Sequence, residues 1–222
     1  MGGKINWSAI YRALEKWRES LEEKDPTVTT VAEQYSRDPW AVLVSTILSL
    51  RTKDEVTMVA SKQLLAQAPG PRELMLLSEE KIARLAYPVG FYRTKAASLK
   101  KIARILLEQY DGKVPADMDA LLVLPGVGRK TANLVLIEAF DLPGICVDIH
   151  VHRISNRLGW LASKTPNETE MILRNILPPK YWKGLNALLV LYGQNICRPI
   201  SPFCSCCVIE KWCKKVGVEK TR

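Results

Sequence analysis

The chain has 222 residues, 47% hydrophobic and 25% charged, long enough for one good core or two small ones. Lysine and arginine outnumber aspartate and glutamate by 32 to 23, a formal charge of +9 that suits a polyanionic partner. With no repeat, no low-complexity tract, no apolar run long enough to span a bilayer and no apolar signal region in residues 1–6, the expectation is a soluble intracellular protein, not a membrane protein or a secreted disulfide scaffold.

In chain order, Ile10, Leu14, Trp17 and Leu21 fall on one face of a predicted helix. Asp38 followed by Pro39 opens a helix that runs to Ser49, with the aspartate as N-cap and the proline at the first helical position. Asp54 can cap the helix that begins with Glu55 and Val56. Lys95, Lys100, Lys101 and Arg104 form a basic series that could line a polyanion but by itself reads better as a solvated face, and Asp111 with Gly112 marks a helix end. Asp117 to Leu124 is apolar on one side, and helical spacing resumes through Ala132, Leu134, Val135, Leu136 and Ile137. Thr165, Pro166 and Glu168 form a capping box, and Lys211, Lys214, Lys215 and Lys220 make a second solvated basic series. No alternating strand pattern stands out, so the expected fold class is all-α.

The turn between the helices around residue 125 is the most informative segment: Leu124, Pro125, Gly126, Val127, Gly128, Arg129, Lys130, Thr131, Ala132. Gly126 and Gly128 accept backbone angles that a side chain resists and let a nucleic-acid backbone approach the main chain. The first-turn N–H groups of the following helix lack intrahelical partners, and the helix dipole adds to their attraction for an anion. A Gly-containing helix corner with no ligand is the plainer alternative. Lys130 stands in that first turn, where the dipole favours the free amine a Schiff-base nucleophile needs. Taken alone it reads as a phosphate contact or a solvated charge, and the segment ending at His150 is what argues against that isolation.

Ile145, Cys146, Val147, Asp148, Ile149, His150, Val151 and His152 place one carboxylate inside an apolar run, where it must be paired or hydrogen-bonded. Asp148 also reads as the N-cap of a short helix that stops at Gly159. Capping and catalysis are compatible, since a capping carboxylate can also stabilise positive charge that develops nearby.

Near the C-terminus, Cys197, Cys204, Cys207 and Cys213 give C-x6-C-x2-C-x5-C in a loop-rich segment. Four thiols this close favour one metal centre, and the spacing leaves an iron-sulfur cluster and structural zinc both open. Cys206 reads as a spare thiol and Cys146 as a core residue.

L-P-G-V-G-R-K-T-A, V-D-x-H-V-H-R-x-x-N-R-L-G from Val147 to Gly159, and the cysteine quartet together resemble the endonuclease III group of DNA glycosylases, in the helix-hairpin-helix superfamily. The resemblance spans nearly the whole chain, with weaker echoes at Leu48, Ser49, Thr52, Lys53 and Asp54 and at Val89, Gly90, Phe91 and Tyr92. It implies a bifunctional enzyme that flips a damaged pyrimidine out of duplex DNA, cleaves its glycosidic bond and nicks the strand by β-elimination. Lys130 would be the nucleophile that forms the Schiff base, and Asp148 its supporting carboxylate.

The same resemblance implies a [4Fe-4S] cluster on the four cysteines, holding a loop for DNA contact. It implies DNA contacts by Gly126, Val127, Gly128, Arg129, Arg51, Phe91 and Arg198, pocket roles for Asp54 and His150, and a monomer acting on double-stranded DNA with a damaged pyrimidine or abasic site. Two domains are implied, a six-helix barrel over 32–142 and a cluster domain of 1–31 with 143–222. The substrate cleft would lie between them, with Lys130 and Asp148 on facing walls. In a prokaryote, the protein would be expected in the cytoplasm and nucleoid.

Arg51 departs from the group, standing where many relatives carry a glutamine that fills the gap left by the flipped nucleotide. Ile149 replaces a common threonine, and the loop between Cys197 and Cys204 holds Arg198 as its only charge. Phe91 resembles an apolar wedge for the base stack, with a core aromatic as the alternative. Within the superfamily, adenine-specific enzymes lack the hairpin lysine and mismatch thymine glycosylases tend to carry tyrosine there, so Lys130 argues against both. Other open readings are a monofunctional mismatch glycosylase and a non-catalytic iron-sulfur DNA-binding or electron-transfer module, the latter needing the hairpin and the cluster but not Lys130 with Asp148.

Overall fold

The computed structural model describes residues 5–21 and 27–222, which form helices and irregular segments with no strand among them. None of these helices is long and apolar enough to cross a membrane. The chain divides into two compact units, Asp25–Gly144 and a discontinuous unit of Met1–Lys24 with Ile145–Arg222.

The continuous unit holds α2 (Thr27–Gln34), α3 (Pro39–Ser49), α4 (Asp54–Gln67), α5 (Pro71–Leu76), α6 (Glu79–Ala86), α7 (Tyr92–Gln109), α8 (Met118–Leu122) and α9 (Arg129–Phe140). Its centre is α3. Every residue from Trp40 to Leu48 is buried, as suits a helix apolar on nearly all sides, and the Ser45 and Thr46 hydroxyls both donate to the Val42 carbonyl. The helix begins as its sequence dictates, with the Asp38 carboxylate accepting from the Ala41 N–H at 2.8 Å and Pro39 in the first turn. It packs against α2, α4, α7 and α9, and the Trp40 indole N–H donates to the Ala68 carbonyl at 3.1 Å, so burial strands no donor there. Val28, Val31 and Ala32 of α2 belong to the same core, so a domain boundary at residue 32 falls inside a helix that packs with this unit.

The discontinuous unit contains α1 (Trp7–Glu19), α10 (Ile149–Leu158), α11 (Pro166–Ile176) and α12 (Trp182–Asn195), followed by the cysteine segment in short 3-10 turns. Ile10, Leu14, Ile154, Leu158, Leu188 and Tyr192 form its core, with Trp17 edge-on to the Tyr192 ring at 4.7 Å. Leu21, expected on the α1 face, lies beyond the helix, which ends at Glu19. At α11 the Thr165 hydroxyl accepts from the Glu168 N–H, and the Glu168 carboxylate reaches back to the Lys164 N–H at 2.8 Å, one residue before the cap.

The two basic series are not continuous solvated faces. Lys95 is 7% exposed and Lys100 donates to the Met75 and Leu77 carbonyls at the end of α5. Lys215 pairs with Glu210 at 2.7 Å, and the Lys211 ammonium lies over the Trp212 ring. The run of basic residues read Lys95 and Lys100 as solvated, but carbonyl groups at the ends of neighbouring helices give their long side chains acceptors inside the unit.

Leu43→Ala, at a fully buried position of α3, is expected to lower unfolding free energy by about 2–5 kcal/mol. Leu76→Ala, at a side chain 85% exposed, should change it by less than about 0.5 kcal/mol in the same denaturant titration.

Candidate functional site

The hairpin forms between α8 and α9. Asp117 caps α8, its carboxylate accepting from the Ala120 N–H at 2.9 Å. The turn then passes through Gly126, whose φ of +81° is the left-handed conformation that favours glycine. Gly128 has extended angles that any residue adopts, and a Cβ added there would meet nothing within 4 Å. Strain therefore explains Gly126, and open space marks Gly128. The N-cap of α9 is Gly128 with no side-chain hydrogen bond, so no side chain of the cap itself occupies the anion-attracting end of the helix.

Lys130 is the second residue of α9 and is exposed, while Arg129 is half-buried. Val127 stands differently from the expectation. Its side chain is 6% exposed in the core, and its N–H donates to the Leu124 carbonyl at 3.1 Å, closing the turn. Both its groups are spent on the hairpin's own structure.

Arg51 and Phe91 both have positive φ, 55° and 57°, in the loops before α4 and α7. The Arg51 guanidinium lies 4.8 Å from the Phe91 ring centroid, in cation–π range. Phe91 is 59% exposed, which removes the core-aromatic alternative. Asp54 is exposed and opens α4, but its side chain makes no cap hydrogen bond, because Lys53 occupies the N-cap position.

In the discontinuous unit, Asp148 is the N-cap of α10, and its Oδ1 accepts from the N–H groups of His150 at 2.8 Å and Val151 at 2.9 Å. Both bonds fall on one oxygen. Oδ2 takes part in neither. Ile149, between the aspartate and His150, is 68% exposed. His150 is half-buried, with Nδ1 3.1 Å from the Arg153 guanidinium, and that guanidinium donates to the carbonyls of Cys197 at 2.9 Å and Gly193 at 3.2 Å. Any side chain at position 193 would collide with His150 and Arg153.

The cysteine segment follows. Cys197, Cys204, Cys207 and Cys213 line one apolar cavity with Ile154 and Tyr192. Three of the sulfurs receive hydrogen bonds: the Tyr192 hydroxyl donates to Cys207 Sγ at 3.1 Å, the Lys215 N–H to Cys213 Sγ at 3.3 Å, and Arg157 to Cys197 Sγ at 3.5 Å. Burial pushes the Cys204, Cys207 and Cys213 thiols up, with neighbouring cysteines adding to the shift. Among the described residues, no three His, Cys, Asp or Glu side chains close around a single metal ion. Cys146 is buried and Cys206 exposed.

Arg157 also donates to the carbonyls of Arg198 and Pro199, both at 2.6 Å, so α10 carries the loop that presents Arg198. The exposed Arg198 guanidinium stacks 5.1 Å from the Phe203 ring. Sequence reasoning missed Arg153 and Arg157. Their i, i+4 spacing on the helix capped by Asp148 was the available signal.

Capping and any chemical role of Asp148 are separable. Asp148→Ala is expected to lower stability by about 1 kcal/mol, whereas Asp148→Asn retains a capping oxygen and should change it by a few tenths, read by thermal and denaturant unfolding.

The geometry of these two units has counterparts. A family model described as "HhH-GPD superfamily base excision DNA repair protein" matches residues 44–179. Endonuclease III of Thermotoga maritima is 48% identical over 177 residues, which cover 80% of this chain and 83% of that protein. A solved non-covalent endonuclease III–DNA complex is similar with a TM-score of 0.80 at 30% identity, covering 95% of this chain and 96% of that one. A trapped endonuclease III–DNA covalent intermediate, an estranged-adenine complex, gives 0.78 at 29%, covering 95% and 97%.

Proposed function

Since the chain belongs to the HhH-GPD superfamily of base excision DNA repair proteins, we propose that it excises damaged pyrimidines from duplex DNA with Lys130 as nucleophile and Asp148 as its supporting carboxylate. It is a DNA glycosylase of the endonuclease III type and an abasic-site lyase, and its partner is double-stranded DNA. The observation that carries the residue assignment is an exposed lysine in the first turn of a helix whose glycine N-cap leaves the N-terminus open to an anion. That a relative of 29% identity forms a covalent intermediate with DNA supports an enzyme nucleophile.

A stacked nucleotide shields C1′, so the damaged nucleotide must leave the duplex first. The Lys130 Nζ lone pair attacks C1′, and the departing base takes the electrons of the glycosidic bond. Loss of the amine proton and opening of the sugar give the Schiff base. Loss of a C2′ proton then drives cleavage of the C3′–O bond, and water releases the lysine. Asp148 stabilises positive charge at the sugar or accepts the lysine proton, with Oδ1 held by the helix cap. Gly128 and the first turn of α9 bind phosphate, and Arg129 and Arg198 add charge to DNA contact. Asp54 and His150 serve in the lesion pocket. The enzyme acts as a monomer where the DNA is, inside the cell.

The four cysteines fit a [4Fe-4S] cluster. Their side chains line one shared apolar cavity, and four cysteine thiolates are the ligand set that such a cluster takes. Cys197, Cys204, Cys207 and Cys213 would hold the cluster as thiolates. Bound there, it supplies covalent cross-links that hold the loop bearing Arg198, and the N–H and O–H donors to sulfur support the thiolate charge.

Borohydride trapping on duplex DNA with thymine glycol or an abasic site tests the nucleophile. Wild-type protein should give a covalent adduct, Lys130→Ala none, and Asp148→Asn a reduced rate. An undiminished adduct with Lys130→Ala overturns the assignment. Cys207→Ser should lose the visible absorption and most of the iron, which wild type holds at about four per chain, while Cys206→Ser keeps both.

A further inference from the structure

Lys95 is 7% exposed, and its ammonium donates to the Leu48 carbonyl at 2.8 Å, the Leu50 carbonyl at 2.6 Å and the Thr52 hydroxyl at 3.1 Å. Three N–H donors thus meet three acceptors. Burial lowers its pKa to about 8, which leaves the ammonium, with all three donors, as the main form at neutral pH. The acceptors bracket Arg51, with Leu50 before it and Thr52 after. The same Thr52 hydroxyl accepts from the Gly90 N–H at 3.0 Å, one residue before Phe91. A Cβ at Gly90 would come within 2.7 Å of the Arg51 carbonyl oxygen, so the two loops touch main chain to main chain.

Arg51 and Phe91 are the two residues that this knot of hydrogen bonds leaves pointing outward, both in the left-handed conformation that non-glycine residues rarely adopt. Such angles persist only where the surroundings over-determine them. Lys95 and Thr52 supply that constraint, and the cation–π contact joins the two side chains.

We propose that Lys95 is a positioning residue: from within the core it locks the loops of Arg51 and Phe91 together so that the two side chains enter the base stack as one preformed wedge. This rests on the reading of the chain as a base-flipping glycosylase. Its consequence is that Lys95 serves the step that opens the duplex and has no part in the bond-making at C1′. A wedge set in advance loses no ordering entropy on contact with DNA, and a loosened one loses rate wherever unstacking is required.

The test compares Schiff-base trapping rates on two substrates, an abasic site in duplex DNA and the same site in single-stranded DNA, where no partner strand resists extrusion. Wild type is measured beside Lys95→Met, Thr52→Val, Arg51→Ala and Phe91→Ala, each verified for folding and cluster content. Lys95→Met is expected to lower the duplex rate by about tenfold or more and to leave the single-strand rate within about twofold of wild type, with Lys95→Arg restoring part of the difference. If Lys95→Met fails to fold, Thr52→Val, which severs the link to Gly90, carries the same expectation. Equal losses on both substrates, or no loss on the duplex, overturn the positioning role. Unchanged duplex rates in both Arg51→Ala and Phe91→Ala instead overturn the wedge on which it acts, and absence of trapping by wild type on either DNA overturns the glycosylase-lyase reading itself.

Discussion

Backbone N–H groups at the start of a helix have no intrahelical acceptor, and the candidate chemistry of this chain is arranged around that deficit. At α10 the deficit is met internally, because the Asp148 carboxylate accepts from two amides and is thereby fixed in one orientation. At α9 the N-cap is Gly128, which brings no side chain to the amides, and Lys130 stands in the same exposed first turn. One helix start holds a carboxylate still. The other brings no cap side chain to its amides and stands beside an exposed amine. The two belong to different units of the chain, so each can be built and held by its own core.

The cysteine segment depends on α10 as well. Arg153 and Arg157 project from that helix to the carbonyls of Gly193, Cys197, Arg198 and Pro199. The helix that presents Asp148 therefore also sets the start of the cysteine loop. Hydrogen bonds from the Tyr192 hydroxyl, the Lys215 N–H and the Arg157 guanidinium point at three of the sulfurs, where they would support thiolate charge. Arg198, the single charge between the first two cysteines, then rides on a loop held at both ends.

In the continuous unit, the decisive packing event is the burial of α3, whose C-terminal carbonyl at Leu48 would otherwise be left inside the core with few acceptable partners. Lys95 answers that need with a charge. In doing so it ties the loop that follows α3 to the loop that precedes α7. A requirement of hydrogen-bond satisfaction and a requirement of function fall on the same side chain, which explains how two strained backbone conformations can lie side by side at an exposed tip.

Much of this was legible in the residues. Helix starts at Asp38, Asp117, Asp148 and Thr165 depend on local geometry, as do the left-handed turn at Gly126 and the spacing of the cysteines, so the chain order alone carries them. The all-α class followed from periodicity in the same way. Burial of long side chains did not, since it depends on which carbonyls a neighbouring helix leaves unmet. Lys95 looked like one cation in a solvated series until Leu48, Leu50 and Thr52, more than forty residues away, came within reach. Val127 looked like part of a DNA-facing loop until the core claimed its side chain. The sequence determined by itself the chemical groups and the local turns that present them, because those follow from neighbours in the chain. Only the tertiary structure decided which charges are buried, which aromatic stands exposed and which loops are joined, because those are matters of acceptors and space supplied from afar.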